Sequence, residues 1–402
     1  MSESYRRSIA LGIVAGLVIA SVFFGGFITR DLLRASEEKP LTTVTDRFPL
    51  LEEAQRLLEQ HYLRPLPDAT TRQYAAIRGV LSELNDRYTF FIDPPVAQSE
   101  SDVLAGSYGG IGVQVQRDEQ GRVVMYPFED GPAFRAGIES GALLEGINGM
   151  AIDSGWSLDA IDQMLRGEVK EGNGVRIAIS NLNGEQRTLF IPFEIINVPS
   201  VIWRLASEAP AIGYVQILRF TSRTPDETTI ALRNLVEANV RSLILDLRNN
   251  NGGLLQESIN VAGQFVNGGT IVYEKTAAGE RELTAADGSL IQGLPLVVLI
   301  NNGTASAAEL VAGAIQDRGR GILIGQTTYG KGTVQQIFRL SDGSSIHITS
   351  AEWLTPNRHP LDGVGLQPDI AMIPDESGRD VEMGEAVKYL THLLQSQELA
   401  GN

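Results

Sequence analysis

The chain has 402 residues, 43% of them apolar and 20% charged, with a formal charge of −16 and no cysteine. Such a chain can fill two or three domains with packed cores. Its acidic balance argues against a general nucleic-acid binder, which carries a basic face, and the absence of cysteine excludes disulfides, thiol catalysis and cysteine-ligated metals.

The first element in chain order is SIALGIVAGLVIASVFFGGFIT (Ser8 to Thr29), a run without a charge. As a helix it would span about 33 Å, enough for a bilayer core of roughly 30 Å. Arg6 and Arg7 precede it, which by the positive-inside tendency keeps the N-terminus cytoplasmic; Arg30 and Arg34 follow, mixed with Asp31 and Glu37. A cleaved signal peptide, cut after Val18-Ile19-Ala20, is the alternative, but its apolar core usually runs only about 7–15 residues. An uncleaved single-pass anchor is therefore the expectation, and either way the remainder lies on the extracytoplasmic side.

Residues 31–45 read as a polar linker, and residues 46–104 as a helical region. Phe48, Leu51, Leu57, Leu58 and Tyr62 have amphipathic helical spacing, and a second helix is expected over Tyr74 to Leu84. DRYTFFIDPP (Asp86 to Pro95) reads as turn-rich and ended by its two prolines. Residues 105–196 read as a small β-rich module. GGIGVQVQ (Gly109 to Gln116) reads as a glycine-rich turn feeding an alternating strand, and short strands follow at Val123 to Pro127 and Val175 to Ser180, with a helix at SLDAIDQML (Ser157 to Leu165) between them. Residues 197–375 switch to strand–helix alternation, which predicts an α/β layer. Strands are expected at Ile212–Leu218, Ser242–Leu247, Thr270–Glu274, Leu296–Ile300 and Gly321–Gly325, and helices at Thr228–Glu237, Leu254–Phe265 and Ala307–Ile315. TVQQIFRL and SSIHITSAEWL, joined by Ser341-Asp-Gly343, predict a hairpin. AVKYLTHLL predicts a short amphipathic helix within residues 376–402.

Three of these strands lead into segments of chemical interest. In an open α/β sheet, sites form beyond the C-terminal ends of the strands. Ser306 follows LVVLI, the glycines of LRNNNGG (Leu247 to Gly253) follow SLILDL, and TTYGKGTVQ (Thr327 to Gln335) follows GILIG. A lysine can replace histidine as the base for a serine. It must be neutral to do so, which requires lowering its pKa by roughly 3 units, and desolvation in an apolar pocket can supply that. Gly330 and Gly332 would let the chain bend and tuck Lys331 inward. An oxyanion hole needs two backbone donors: Ala307 N–H is one candidate, and Gly252 or Gly253 the other. The same residues admit a plainer account, because Ser306-Ala-Ala-Glu309 is also an S-x-x-E capping box and Gly-Lys-Gly also a surface turn.

Taken together, GTASAAELVAGAI and TYGKGTVQ resemble the carboxyl-terminal processing proteases, the tail-specific serine peptidases. Ser306 matches their nucleophile, Lys331 their general base 25 residues on (331 − 306), and Gln335 the glutamine that orients that lysine. LILDLRNNNGGLL, IGYVQILRF, Leu354-Thr-Pro356, GVGLQPDI (Gly363 to Ile370) and LNDRYTFFIDP fall in the same order as in that family. The resemblance covers nearly the whole chain after the anchor. It implies an α+β multidomain protein with a transmembrane helix, a helical segment, a PDZ domain and an α/β peptidase core of the crotonase/ClpP-like kind.

Residues 105–196 would be the PDZ domain, which binds a C-terminal carboxylate in a glycine-rich loop and pairs the tail as an added strand. Gly109, Gly110, Ile111 and Gly112 would form that loop, and Ile111, Val113, Ile161 and Leu165 would line the pocket unless they fill the module's core. Two positions depart from the family pattern. Gly141-Ala142-Leu143-Leu144 stands where G-D-x-I is common, and Asn251 where proline precedes the paired glycines. His347, in a strand, and His359, in a loop, are expected in structural or surface roles. No metal-ligand spacing and no phosphate loop is present, so neither metal nor cofactor is expected. The resemblance implies a membrane-anchored serine endopeptidase acting on accessible protein tails, compatible with a homo-oligomer. A catalytically silent PDZ adaptor on the same scaffold is the rival, and an enzyme whose PDZ domain holds Lys331 away from Ser306 is a further form.

Overall fold

The computed structural model describes residues 48–401, apart from 119, 154, 374, 376 and 377. The predicted anchor at 8–29 and the linker at 31–45 lie outside the described residues. Among the described residues, no helix is long and apolar enough to cross a membrane. The chain divides between Arg72 and Gln73 into two compact units.

In the first unit, α1 (Pro49–His61) opens on a proline, whose missing N–H costs nothing at a helix start, and buries none of its residues. Arg72 reaches back to Gln55 at 2.8 Å and Glu59 at 2.6 Å. Asp68 accepts from the backbone and hydroxyl of Thr71 (2.9 and 2.6 Å), which starts α2 (Ala69–Ser82) ahead of the expected Tyr74.

The second unit begins with a correction. DRYTFFIDPP is not only turn: it contains β1 (Phe90–Ile92), and its two prolines open a helix, α3 (Pro94–Ala105), instead of closing a segment. Proline breaks a helix interior but suits the first turn. The β-rich module follows as β2 (Ser107–Gly110), β3 (Val113–Arg117), β4 (Val123–Pro127), α4 (Pro132–Arg135), β5 (Ala142–Ile147), β6 (Met150–Ala151), α5 (Leu158–Met164), β7 (Gly174–Ser180), β8 (Gln186–Pro192) and β9 (Glu194–Asn197). The order β3-β4-β5-β7-β8 is antiparallel, β6 pairs with β5, and β2 pairs with β9. In GGIGVQVQ the glycine-rich turn expected ahead of a strand falls at Ile111-Gly112 and β3 follows it, but Gly109 and Gly110 already belong to β2, in another sheet. Met125, Ile147, Ile177 and Ile191 fill the module's core.

The C-terminal core contains β10 (Val201–Ala206), β11 (Ala209–Ile217), α6 (Thr224–Glu237), β12 (Ser242–Asp246), α7 (Leu255–Val266), β13 (Gly269–Thr276), β14 (Gly279–Ala285), β15 (Leu296–Ile300), α8 (Ala307–Asp317), β16 (Ile322–Gly325), β17 (Thr333–Arg339), β18 (Ser345–Leu354), β19 (Ile370–Ala371) and α9 (Val381–Gly401). Its main sheet runs β10-β11-β12-β15-β16-β19 and is parallel except for β10. Every residue of β12 and β15 is buried, as a sheet covered on both faces demands. Alternate residues point to opposite faces. Leu243, Leu245, Val298 and Ile300 pack into the cluster that holds α6, α7 and α8, and Ile244, Val297 and Leu299 into the one that holds Ala386 and Leu390 of α9.

Thr270–Glu274 does form a strand but leaves the parallel layer. It is part of β13, in a separate antiparallel sheet with β1, β14, β17 and β18. Periodicity identifies a strand, not its sheet. The predicted Ser341–Gly343 hairpin joins β17 and β18, with Leu340 N–H donating to Ser344 O and the two strands antiparallel.

Candidate active site

The three segments singled out in the sequence converge at the C-terminal ends of the parallel strands β12, β15 and β16. Side chains stitch the loops together. Asn301 accepts from Asn249 N–H (2.9 Å) and donates to Asn249 Oδ1 (3.0 Å), and the Thr304 hydroxyl donates to Leu247 O (2.9 Å). Buried Asn250 donates to Ile217 O at 2.8 Å and accepts from Gly252 N–H at 2.9 Å.

Ser306 sits at the turn into α8 with φ 57° and ψ −123°. A positive φ at a residue with a Cβ costs roughly 1–2 kcal/mol and has to be held by its surroundings. The capping box is present, and its well-formed hydrogen bond is the carboxylate half: Ser306 N–H donates to Glu309 Oε2 at 2.8 Å. In the other half of the box the Ser306 hydroxyl faces Glu309 N–H but makes no cap hydrogen bond of normal geometry.

The Glu309 carboxylate is fully buried and does more than cap. It also accepts from the Thr328 hydroxyl (2.5 Å), Gly330 N–H (2.7 Å) and Lys331 N–H (2.9 Å). One side chain thus ties the backbone of Ser306 to the backbone of Lys331. The S-x-x-E spacing was the only sign of Glu309 in the sequence, and it pointed to a cap.

Ser306, Lys331, Gln335, Gly252 and Gly253 line one cavity of about 400 Å³. Burial pushes the Lys331 ammonium below the ordinary lysine value, while the carboxylates of Glu100 and Glu309 push it back up. Its Nζ lies 5.2 Å from the centre of the Tyr88 ring, and among the described residues no hydrogen bond joins it to Ser306. Gln335 Nε2 donates to Thr333 Oγ1 at 2.8 Å, so the expected glutamine–lysine contact is not made in this arrangement.

Gly252 and Gly253 are both required by close approach. A Cβ on Gly252 would lie 2.9 Å from Ser306 Cβ, and one on Gly253 would lie 2.1 Å from Phe220 O; their φ values are +98° and +145°. The two glycines differ in their donors. Gly252 N–H is taken by Asn250, whereas Gly253 N–H and Ala307 N–H have no acceptor among the described residues. Asn251, at the position of the missing proline, is exposed on the cavity wall.

His347 also lines the cavity. It is buried, stacks on Phe90 at 4.5 Å and bonds Glu100 through Nε2 at 2.9 Å. His359 stands in its loop, 70% exposed, 3.8 Å from Asp317.

In the module, Ile111, Val113, Ile161 and Leu165 are 0–3% exposed and pack in the core cluster instead of lining an open pocket. Ile111 N–H donates to Leu165 O (3.3 Å), and Gly110 bridges Arg166, so the glycine-rich loop rests on the end of α5. Gly112 O accepts from Phe128 N–H. Among the described residues β3 pairs only with β4, which leaves its other edge without a strand beside α5.

The profile of peptidase family S41 matches residues 211–372, the span that carries all three loops. The chain is similar to the C-terminal processing peptidase, chloroplastic, of Tetradesmus obliquus. The two are 34% identical over 341 residues, 81% of this chain and 73% of the relative. It is 32% identical over 400 residues to carboxyl-terminal-processing peptidase 2, chloroplastic, of Arabidopsis thaliana, covering 92% of this chain and 76% of the relative. A solved structure of a photosystem II D1 C-terminal processing protease aligns at 30% identity over 82% of this chain and 89% of that chain, with a TM-score of 0.47. The chain therefore belongs to peptidase family S41, among the carboxyl-terminal processing peptidases, and is a serine-type peptidase.

Proposed function

We propose that this peptidase cleaves accessible protein tails with Ser306 as nucleophile and neutral Lys331 as its base. The observation that carries the reading is the joint placement of the two residues. A strained serine opens a helix, its hydroxyl makes no cap hydrogen bond of normal geometry, and it shares a cavity with a lysine whose charge is disfavoured by burial. Ser306 Oγ attacks the peptide carbonyl carbon, and its proton passes to Lys331 Nζ. The tetrahedral oxyanion is held by Ala307 N–H and Gly253 N–H, the two donors without an acceptor. Gly252 is then a spacer, not a donor. The lysine returns the proton to the leaving amine, and water hydrolyses the acyl-enzyme. Gln335 positions Lys331 after it exchanges its Thr333 contact for the amine.

The β-rich module acts in this reading as a PDZ domain, with the open edge of β3 receiving the substrate tail beside α5. The apolar segment 8–29 supports an anchored, extracytoplasmic enzyme. A second form, a gated enzyme, is favoured by one observation. Lys331 lies over Tyr88 and Gln335 on Thr333, so a short rearrangement separates the present arrangement from a productive one. A fluorophosphonate probe with peptide mapping tests the nucleophile. The expected adduct is on Ser306 and is lost in Lys331→Met. A labelled serine elsewhere overturns Ser306 as the nucleophile, and no label on any serine, even with tail peptide present, favours the silent adaptor.

A further inference from the structure

The cavity that holds Ser306 and Lys331 also holds a cation for which the described residues supply no counter-ion. Arg219 follows β11 and lines the 400 Å³ cavity. It also lines a second cavity of about 210 Å³, bounded by Tyr108, Arg166, Ser200 and Thr221. Arg219 therefore stands at the partition between the two.

Its backbone is firmly held. Phe220 pairs with Gly253, Leu218 N–H donates to Ser200 O at 2.8 Å, and the Thr224 hydroxyl donates to Arg219 O at 3.0 Å. Its guanidinium is not held: among the described residues it has no ion pair, hydrogen bond or ring contact. The nearby carboxylates are engaged elsewhere, Glu100 with His347 at 2.9 Å and Asp102 with Arg166 at 3.2 Å. The chain has 49 acidic and 33 basic residues, so anions are in excess and scarcity does not explain an unpaired arginine here. A guanidinium is permanently charged, and its planar fork of donors matches a carboxylate in two parallel hydrogen bonds.

We infer that Arg219 is a specificity-determining residue that receives a carboxylate of the substrate inside the catalytic cavity, above all the α-carboxylate of a short tail. This rests on the reading that the Ser306–Lys331 cavity is where cleavage occurs. Arg219 would favour tails that place their terminus within reach of the β11 end. The chemistry is shared with an aspartate or glutamate side chain near the scissile bond, and the test separates the two sources.

The test uses the full chain and short peptides of graded tail length. Each is made with a free C-terminal carboxylate, with a C-terminal amide, and as an amide carrying one internal acidic residue. The readout is the ratio of kcat/KM values between members of a set, for wild type, Arg219→Gln and Arg219→Lys. Charge-assisted hydrogen bonds of this kind correspond to roughly a ten- to hundredfold preference. Wild type is expected to prefer the free acid by such a factor at one tail length. The ratio should fall toward one in Arg219→Gln and be partly kept in Arg219→Lys. A free-acid preference that survives Arg219→Gln unchanged belongs to another site and overturns the inference, as does the absence of any carboxylate preference in wild type. A preference confined to the internal acidic residue, and lost in Arg219→Gln, keeps the carboxylate contact and overturns the tail as its source. Ser306→Ala is run beside these variants. If it still cleaves, the nucleophile is wrong while the Arg219 ratio remains readable, so the two failures are distinct.

Discussion

The Glu309 carboxylate accepts four hydrogen bonds while fully buried, three from donors on the Lys331 loop and one from Ser306 itself. An amide of the same shape would turn its NH2 toward donors on one side. Each buried donor left without an acceptor costs about 1–3 kcal/mol. Glu309→Gln should lower stability by about 2 kcal/mol or more and reduce kcat more than it raises KM, checked by denaturant melts beside steady-state kinetics. Unchanged kcat in a folded variant would show that the tie between the two loops is not needed. Lys331 carries a second prediction at this scale. Its folded pKa lies below the ordinary 10.5, because burial disfavours the charge. The neutral, basic form therefore grows as pH rises through the lowered folded value, and kcat/KM should rise with pH and level off below 10.5. The unfolded lysine binds its proton more tightly, so its contribution to stability also rises with pH between the lowered value and 10.5. Lys331→Met should abolish cleavage and remove that slope, as read from melts across alkaline pH.

At the scale of elements, the site is made by three loops that leave neighbouring parallel strands. Gly253 marks how tightly they meet: a Cβ there would lie 2.1 Å from the Phe220 carbonyl oxygen, with φ at +145°. Gly253→Ala should destabilise the fold, because it meets rigid backbone. Gly252→Ala meets Ser306 Cβ at 2.9 Å and should lose activity before it loses stability. A comparison of melting temperature and kcat for the two variants checks both. All-apolar strands followed by glycine-rich turns are local patterns, which is why Ser306, Lys331 and the paired glycines could be found in the sequence. Glu309 could not be valued there, because its partners Thr328 and Gly330 come from another loop. Nor could Gly252 be told from Gly253, since the difference lies in the side chain of Asn250. The start of α3 is not legible in the sequence, because proline both ends helices and begins them. Ile111, Val113, Ile161 and Leu165 were legible as apolar, but only packing shows that they face the core.

At the scale of the whole second unit, α3 lies between the module and the antiparallel sheet. Asp102 on α3 pairs with Arg166 of the module at 3.2 Å, while Glu100 on the same helix holds His347 of β18 and lines the cavity of Ser306 and Lys331. Arg166 also stacks on Tyr108, 3.8 Å from the ring centre. In the proposed reading, a tail bound at the module and displacing the end of α5 would have a short mechanical path to the cavity. If the module gates cleavage, removing residues 105–196 should change the rate on tailed substrates by more than its effect on stability explains; equal activity would count against gating. The central claim concerns the serine, and its most direct measurement is the rate at which Ser306→Ala cleaves a tail peptide, taken with its melting curve. The account predicts a wild-type melt and no detectable cleavage; cleavage at the wild-type rate by the folded variant would contradict it.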